Sequence, residues 1–144
     1  PAALGPTVAP SEAGRSLRWA RLTLELAAEG VVSAAEPVRT SDHLATVLLL
    51  ADRELAVRLA RERLAPLDGL PDGERERLTA TLAAWMAHQR HTPRIAEELH
   101  VHPQTVRYRI AKLSDLLGDA LEDPQGRFEL ELALRIQRAL SGRF

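Results

Sequence analysis

Gln104, Thr105, Arg107 and Tyr108 sit in the stretch HVHPQTVRYRIAKL, residues 100–113. At about 100° of rotation per residue, Gln104, Arg107, Tyr108 and Ala111 fall away from the apolar stripe Val106, Ile110, Leu113 and Leu117. Thr105 and Lys112 flank that stripe. An amide, a hydroxyl, a guanidinium and a phenol on one outer face are groups that address base edges, arginine matching guanine and glutamine matching adenine. Arg90, Arg94, Arg109 and Lys112 add the charges that neutralise phosphates and make affinity fall with salt. Arg109 lies beside the apolar stripe, so it either pairs with Glu97 or Glu98 or reaches back to a phosphate. The small Ala111 permits close approach to a groove wall.

Such a face needs a brace. Thr92-Pro93 reads as a helix start, with a hydroxyl N-cap followed by proline where its missing N–H costs nothing. Ile95, Ala96 and Leu99 form the apolar side of that short helix. Only three residues separate Leu99 from Pro103, where the next helix begins. Helices joined so tightly cross steeply, and Ala96 is the small residue at their approach. His100 falls where the turn takes a left-handed residue, a conformation histidine tolerates better than most. The layout is that of a helix-turn-helix, a short helix carrying a recognition helix over residues 103–117.

Charge supports this reading. The 144 residues have a net charge of −1, with 45% hydrophobic, 27% charged and 3% aromatic residues. Within that near-neutral chain, residues 85–113 hold five basic side chains against Glu97 and Glu98 and four of the five histidines, whereas 114–131 holds six acidic residues against Arg127. A solvated basic helix face is the competing explanation, and the tight turn argues against it. His88, His91, His100 and His102 are spaced too loosely to define a metal set without a carboxylate or thiol. They are expected to serve as caps and turn residues, and no metal or other cofactor is expected. Protonation of these rings at mildly acidic pH is expected to strengthen DNA binding. Glu97, Glu98, Asp119, Glu122 and Asp123 lack a neighbouring nucleophile pattern. They read as solvated surface and, for Asp123, a helix cap. An enzyme is not expected.

The remaining chain reads as helical. ALGPTV (3–8) ends a strand, and Ser11 caps a helix carrying Leu17, Ala20, Leu24 and Ala27 up to Gly30. Residues 31–40 form a connection with an extended piece at Val31-Val32. Ser41 caps a helix through Leu44, Val47 and Leu48, and Asp52 caps another with Leu55 and Leu59 inward. LAPLDGLPDGE (64–74), with two prolines and two glycines, marks the boundary between residues 1–66 and 67–144. A helix over about 74–89 carries Leu78, Leu82, Trp85 and Met86. A final helix from Asp123 or Pro124 carries Phe128, Leu132, Ile136 and Leu140. The low aromatic content favours a core of Leu, Ala, Val and Ile. The absence of cysteine fits a reducing, cytoplasmic setting. The longest apolar run, ATVLLLA (45–51), is too short to span a bilayer, so no membrane partner is expected. Pro1 follows no signal-peptide pattern, and the chain is expected to be a fragment of a longer one.

The segment RIAEELHVHPQTVRYRIAKLSDLLGDALEDPQGRFELELALR (94–135) closely resembles the C-terminal helix-turn-helix domain of PucR/CdaR-type bacterial transcriptional regulators. The resemblance covers roughly residues 64–140. It rests on the turn and recognition helix at 99–109 and on the later pattern L-x-D-P-x-x-R-F-x-L-x-L-A-L. Residues 1–63 are more weakly similar to the end of a GGDEF-like regulatory region and the helices after it. Gln104 stands where the family commonly has Asn, and Pro103 where it commonly has a basic residue. The resemblance implies a mainly α fold: a helical connector followed by a wingless, Fis-like helix-turn-helix bundle. It also implies a sequence-specific transcriptional regulator that binds double-stranded operator DNA as a homodimer. Any small-molecule effector would act through a missing N-terminal region. On this reading Gln104, Thr105, Arg107 and Tyr108 contact bases or groove, and Arg90, Arg94, Arg109 and Lys112 contact phosphates. The alternative is a helical protein–protein interaction module that docks through the same helix-turn-helix.

Overall fold

The computed structural model describes residues 2–33 and 37–141. They form two compact units, one comprising residues up to 56 with those from 139 onward, the other Val57–Arg138. Part of the expected connection 31–40 lies outside the described residues.

In the first unit, strand β1 (Ala3–Leu4) pairs in parallel with β2 (Val38–Arg39) in the register Ala3 to Val38, Leu4 to Arg39. Helix α1 (Ala13–Ala28) packs on this pair. Gly5 is obligatory at that approach, because a Cβ there would lie 2.2 Å from Ser16 Oγ and 2.4 Å from Ser16 O. A buried hydrogen bond of 2.8 Å joins Thr23 and Thr40, and satisfies two hydroxyls removed from water.

Three expectations change here. Ser11 and Ser41 do not cap: each lies inside a 3-10 turn (Pro10–Glu12 and Thr40–His43) that leads into α1 and into α2 (Leu44–Leu49) without a side-chain cap. The extended piece is Val38–Arg39 rather than Val31-Val32, because only the former finds a backbone partner in β1.

Helix α3 (Arg53–Leu64) starts as expected, with Asp52 Oδ1 accepting the Leu55 N–H at 2.9 Å. Leu55 is not inward, however. Ala56, Ala60 and Leu64, spaced every fourth residue, are buried, which turns Leu55 to the surface.

The second unit is helical throughout. Helix α4 (Asp72–Ala87) buries Leu78, Thr81, Leu82, Ala84 and Trp85. Helices α5 (Thr92–Glu98) and α6 (Pro103–Leu117) follow, then a 3-10 turn at Gly118–Leu121 and α7 (Pro124–Leu140). Asp123 Oδ2 caps α7 by accepting the Gly126 N–H at 2.6 Å. The buried stripe of α7 is Leu130, Ala133, Ile136 and Leu140. Ile136 and Leu140 are buried as expected, but Phe128, expected inside, is 54% exposed and Leu132 is half-buried, because the first half of the helix buries Leu130 and Ala133 instead. Among the described residues β1 and β2 are the only strands, so the second unit carries no wing. No helix of the described residues is long and apolar enough to cross a membrane.

Gly126 sets how closely α7 approaches the turn before it. A Cβ there would stand 2.7 Å from both Cα and O of Ala120, which are backbone atoms that cannot swing aside. Gly126→Ala is expected to destabilise the chain by ~1–3 kcal/mol through overpacking. Gly73→Ala, where nothing lies within 4 Å, should be neutral or slightly stabilising. Urea unfolding of the two variants checks the contrast.

Candidate nucleic-acid interface

The interface is assembled from helix ends. Helix α4 stops at His88, and the next residues, Gln89 (φ 48°) and Arg90 (φ 68°), are both left-handed. Arg90 N–H donates to Trp85 O at 3.0 Å and Gln89 N–H to Met86 O at 3.4 Å, the paired bonds that close a Schellman turn. The same device ends α5. His100 is left-handed (φ 52°), with its N–H donating to Glu97 O at 3.2 Å and the Val101 N–H to Ala96 O at 3.0 Å. His100 therefore occupies the turn position expected of it, and Ala96 is buried at the approach of the two helices.

Both helices begin on histidine. The His91 ring accepts the Arg94 N–H through Nδ1 at 3.4 Å, and the His102 ring accepts the Gln104 N–H through Nδ1 at 3.1 Å. The expected hydroxyl cap at Thr92 is thereby displaced by one residue: Thr92 is already helical and His91 is the cap. At the second helix Pro103 does take the first helical position, after His102. His88 has a different task, its Nε2 pairing with Glu98 Oε2 and tying the end of α4 to the end of α5.

Helix α6 is fastened by Val106 and Leu113, both fully buried, and by Leu117. Ile110, expected in the same stripe, is only half-buried. The helix packs on α5, on α4 and on the turn after it. Arg107 and Tyr108 are exposed, Tyr108 by 64%. Gln104 is exposed too, and its Oε1 accepts from Arg107 Nη1 at 3.3 Å. Thr105 is half-buried at the edge of this face.

The basic side chains divide by what holds them. Arg94, on α5, is exposed and forms no ion pair among the described residues. Arg109 is half-buried, and its Nη1 donates to the buried Thr81 Oγ1 at 3.4 Å. It does not take the expected partner Glu97 or Glu98, because the rotation of α6 aims it at α4. Arg90 lies over the Trp85 ring, 4.7 Å from its centroid, with Nη2 3.5 Å from Leu121 O and Nη1 3.8 Å from Glu122. Lys112 donates to Glu74 Oε1 at 2.5 Å, linking α6 to α4. That hydrogen bond raises the Lys112 pKa above the usual lysine range.

Thr81, Glu74 and the His88–Glu98 pair are the partners that reading the chain alone did not find. Their separations of 28, 38 and 10 residues carry no local pattern.

Two outcomes follow from these contacts. His102→Ala is expected to cost about 1 kcal/mol, the usual worth of an N-cap, whereas His102→Asp should retain it; denaturant unfolding measures both. Lys112 is the chain's one lysine, so its titration gives a single NMR signal. Its pKa is raised in the fold, so the pair's contribution is full below the ordinary lysine pKa and is lost as pH rises through the raised value. The midpoint should lie above the ordinary lysine value and return toward it in Glu74→Gln. An unshifted midpoint would dissolve the link between α4 and α6.

Residues 78–136 match the family of PucR C-terminal helix-turn-helix domains. The chain is 38% identical over 98 residues to the "Uncharacterized protein in pkwA 5'region" of Thermomonospora curvata, an alignment covering 68% of this chain and 52% of that protein. It is 40% identical over 68 residues to the purine catabolism regulatory protein of Bacillus subtilis (strain 168), covering 47% of this chain and 13% of that protein. The chain thus spans about half the length of one relative and a small part of the other. The matched span holds both Schellman turns, both histidine caps and the buried fastening of α6, and the chain carries in it a PucR-type C-terminal helix-turn-helix domain.

Proposed function

We propose that this chain is the C-terminal portion of a transcriptional regulator and binds operator DNA by laying α6 in the major groove. The observation that carries the reading is the outer face of α6. Gln104, Arg107 and Tyr108 are exposed together at the N-terminal end of a helix whose opposite side is fully buried. Side chains in the first turns of a recognition helix are the ones that reach base edges. The likeness to a regulatory protein supports the same reading. Arg107 reads a guanine, with Gln104, Thr105 and Tyr108 lining the groove beside it. Arg94 meets a phosphate directly, and Arg90, Arg109 and Lys112 approach the backbone from heads already engaged within the domain.

In this reading residues 67–144 bind DNA, and residues 1–66 connect them to a regulatory region where an effector acts. The protein works in the cytoplasm as a homodimer and catalyses no reaction.

Binding-site selection from a random duplex pool supplies the operator and the test. Arg107→Ala should lose ~1–3 kcal/mol on the selected site and relax one position, the signature of a lost bidentate arginine–guanine contact. Arg94→Ala should weaken all sequences alike and reduce the salt slope by about 1, and Lys112→Ala should do the same to a smaller extent, because its ammonium is already held by Glu74. Binding that hardly notices salt, or a partner protein retained in place of DNA, would return the face to a protein-docking role.

A further inference from the structure

Gln104 was read above as a residue that meets a base. Its own hydrogen bonds assign it other work. The backbone N–H of Gln104 is held by His102 Nδ1 at 3.1 Å, and its side-chain Oε1 accepts from Arg107 Nη1 at 3.3 Å. The chain of contacts runs from the cap of α6, through Gln104, to the guanidinium one turn further along. The two side chains are three residues apart, the spacing at which helix neighbours meet. Both are exposed, so nothing else in the domain fixes the guanidinium.

Donor geometry decides what each can still do. A glutamine that reads adenine presents its amide oxygen to the adenine amino group and its amide nitrogen to N7, both in the plane of the base edge. Here that oxygen is turned to Arg107. An arginine presents several N–H groups in a rigid fork. Engaging Nη1 with Gln104 leaves the edge formed by Nη2 and Nε, which is wide enough to span O6 and N7 of guanine. A free arginine side chain would have to be ordered on binding; one already held on its own helix loses less freedom.

We propose that Gln104 is a positioning residue that acts on DNA sequence through Arg107, holding the guanidinium for a guanine rather than reading a base pair of its own. The inference rests on the DNA-binding reading of α6. It also gives a physical meaning to the longer glutamine at this place: its amide reaches the next turn of the helix.

The test is binding-site selection with the 144-residue chain and four variants, followed by affinity for the selected duplex and for duplexes altered at single positions. Arg107→Ala first marks the position whose guanine preference depends on Arg107. Gln104→Met, similar in shape but without the oxygen, should lower the guanine preference at that same position by about fivefold or more, the low end of a bidentate contact's discrimination. Gln104→Glu offers a carboxylate oxygen to the same Nη1 and should keep the preference, though phosphate repulsion lowers overall affinity. The double variant Gln104→Met/Arg107→Ala should be no less selective than Arg107→Ala alone. Melting temperatures should stay together across the set, since both side chains are exposed.

The proposal is overturned if Gln104→Met leaves the Arg107 position intact and relaxes an A·T position elsewhere in the site, or if the two substitutions add independently. A different result marks failure of the underlying reading: if the unaltered chain enriches no sequence, α6 is not a DNA reader and this inference falls with it.

Discussion

Everything presented by α6 depends on the burial of Ile95, Val106 and Leu113, none of which retains accessible surface. Fully burying a branched aliphatic side chain is worth ~1.5–3 kcal/mol. These three act together, Ile95 from the brace and the other two from the helix it braces. The burial fixes the rotation of α6 about its axis, and the rotation decides which polar side chains meet solvent. A slip of one residue would turn α6 by about 100°, taking Arg107 away from the outer face. The outer face proposed to read DNA is therefore a consequence of the core.

The turns make that burial reachable. Three non-glycine residues of this domain, Gln89, Arg90 and His100, are left-handed, a conformation costing roughly 1–2 kcal/mol for residues with a Cβ. Each Schellman turn offsets the cost with two backbone hydrogen bonds to carbonyls that the helix end would otherwise leave unpaired. The chain can then reverse within four or five residues. Histidine serves on both sides of these turns, left-handed at His100 and as N-cap at His91 and His102. The run of four histidines is the imprint of four helix ends that follow one another in the sequence, His88 ending α4, His91 and His100 bounding α5 and His102 opening α6.

Much of this was legible in the sequence because it is local. The turn between α5 and α6, the span of α6, the left-handed His100 and the opposite orientations of Arg107 and Arg109 follow from helical rotation and turn chemistry over some twenty residues. Two kinds of feature were not legible. Rotational register of long amphipathic helices was one: α3 buries Ala56 and Ala60 and leaves Leu55 outside, and the first half of α7 buries Leu130 and Ala133 and leaves Phe128 outside, while Ile136 and Leu140 further along face inward as expected. Small side chains let backbones approach, and that gain is invisible to hydrophobicity alone. Partners distant in sequence were the other. Nothing in residues 72–87 announces that Glu74 will meet Lys112 or Thr81 will meet Arg109.

Those distant partners change what the basic segment means. Of the cations in residues 85–113, Arg90, Arg109 and Lys112 are drawn to groups of their own domain: a tryptophan ring with the carbonyl and carboxylate beyond it, a threonine hydroxyl, and a glutamate. Arg94 and Arg107 have no ion pair among the described residues. Non-specific affinity grows with the number of phosphates neutralised, each releasing counterions, so a face with few uncommitted cations holds a DNA duplex weakly by charge alone. In the reading proposed above, affinity must then come from base contacts and from a second copy on the same operator, rather than from a broad basic surface. The near-neutral charge of the chain is consistent with that division, since specificity rests on where Arg107 points and only secondarily on how much charge surrounds it.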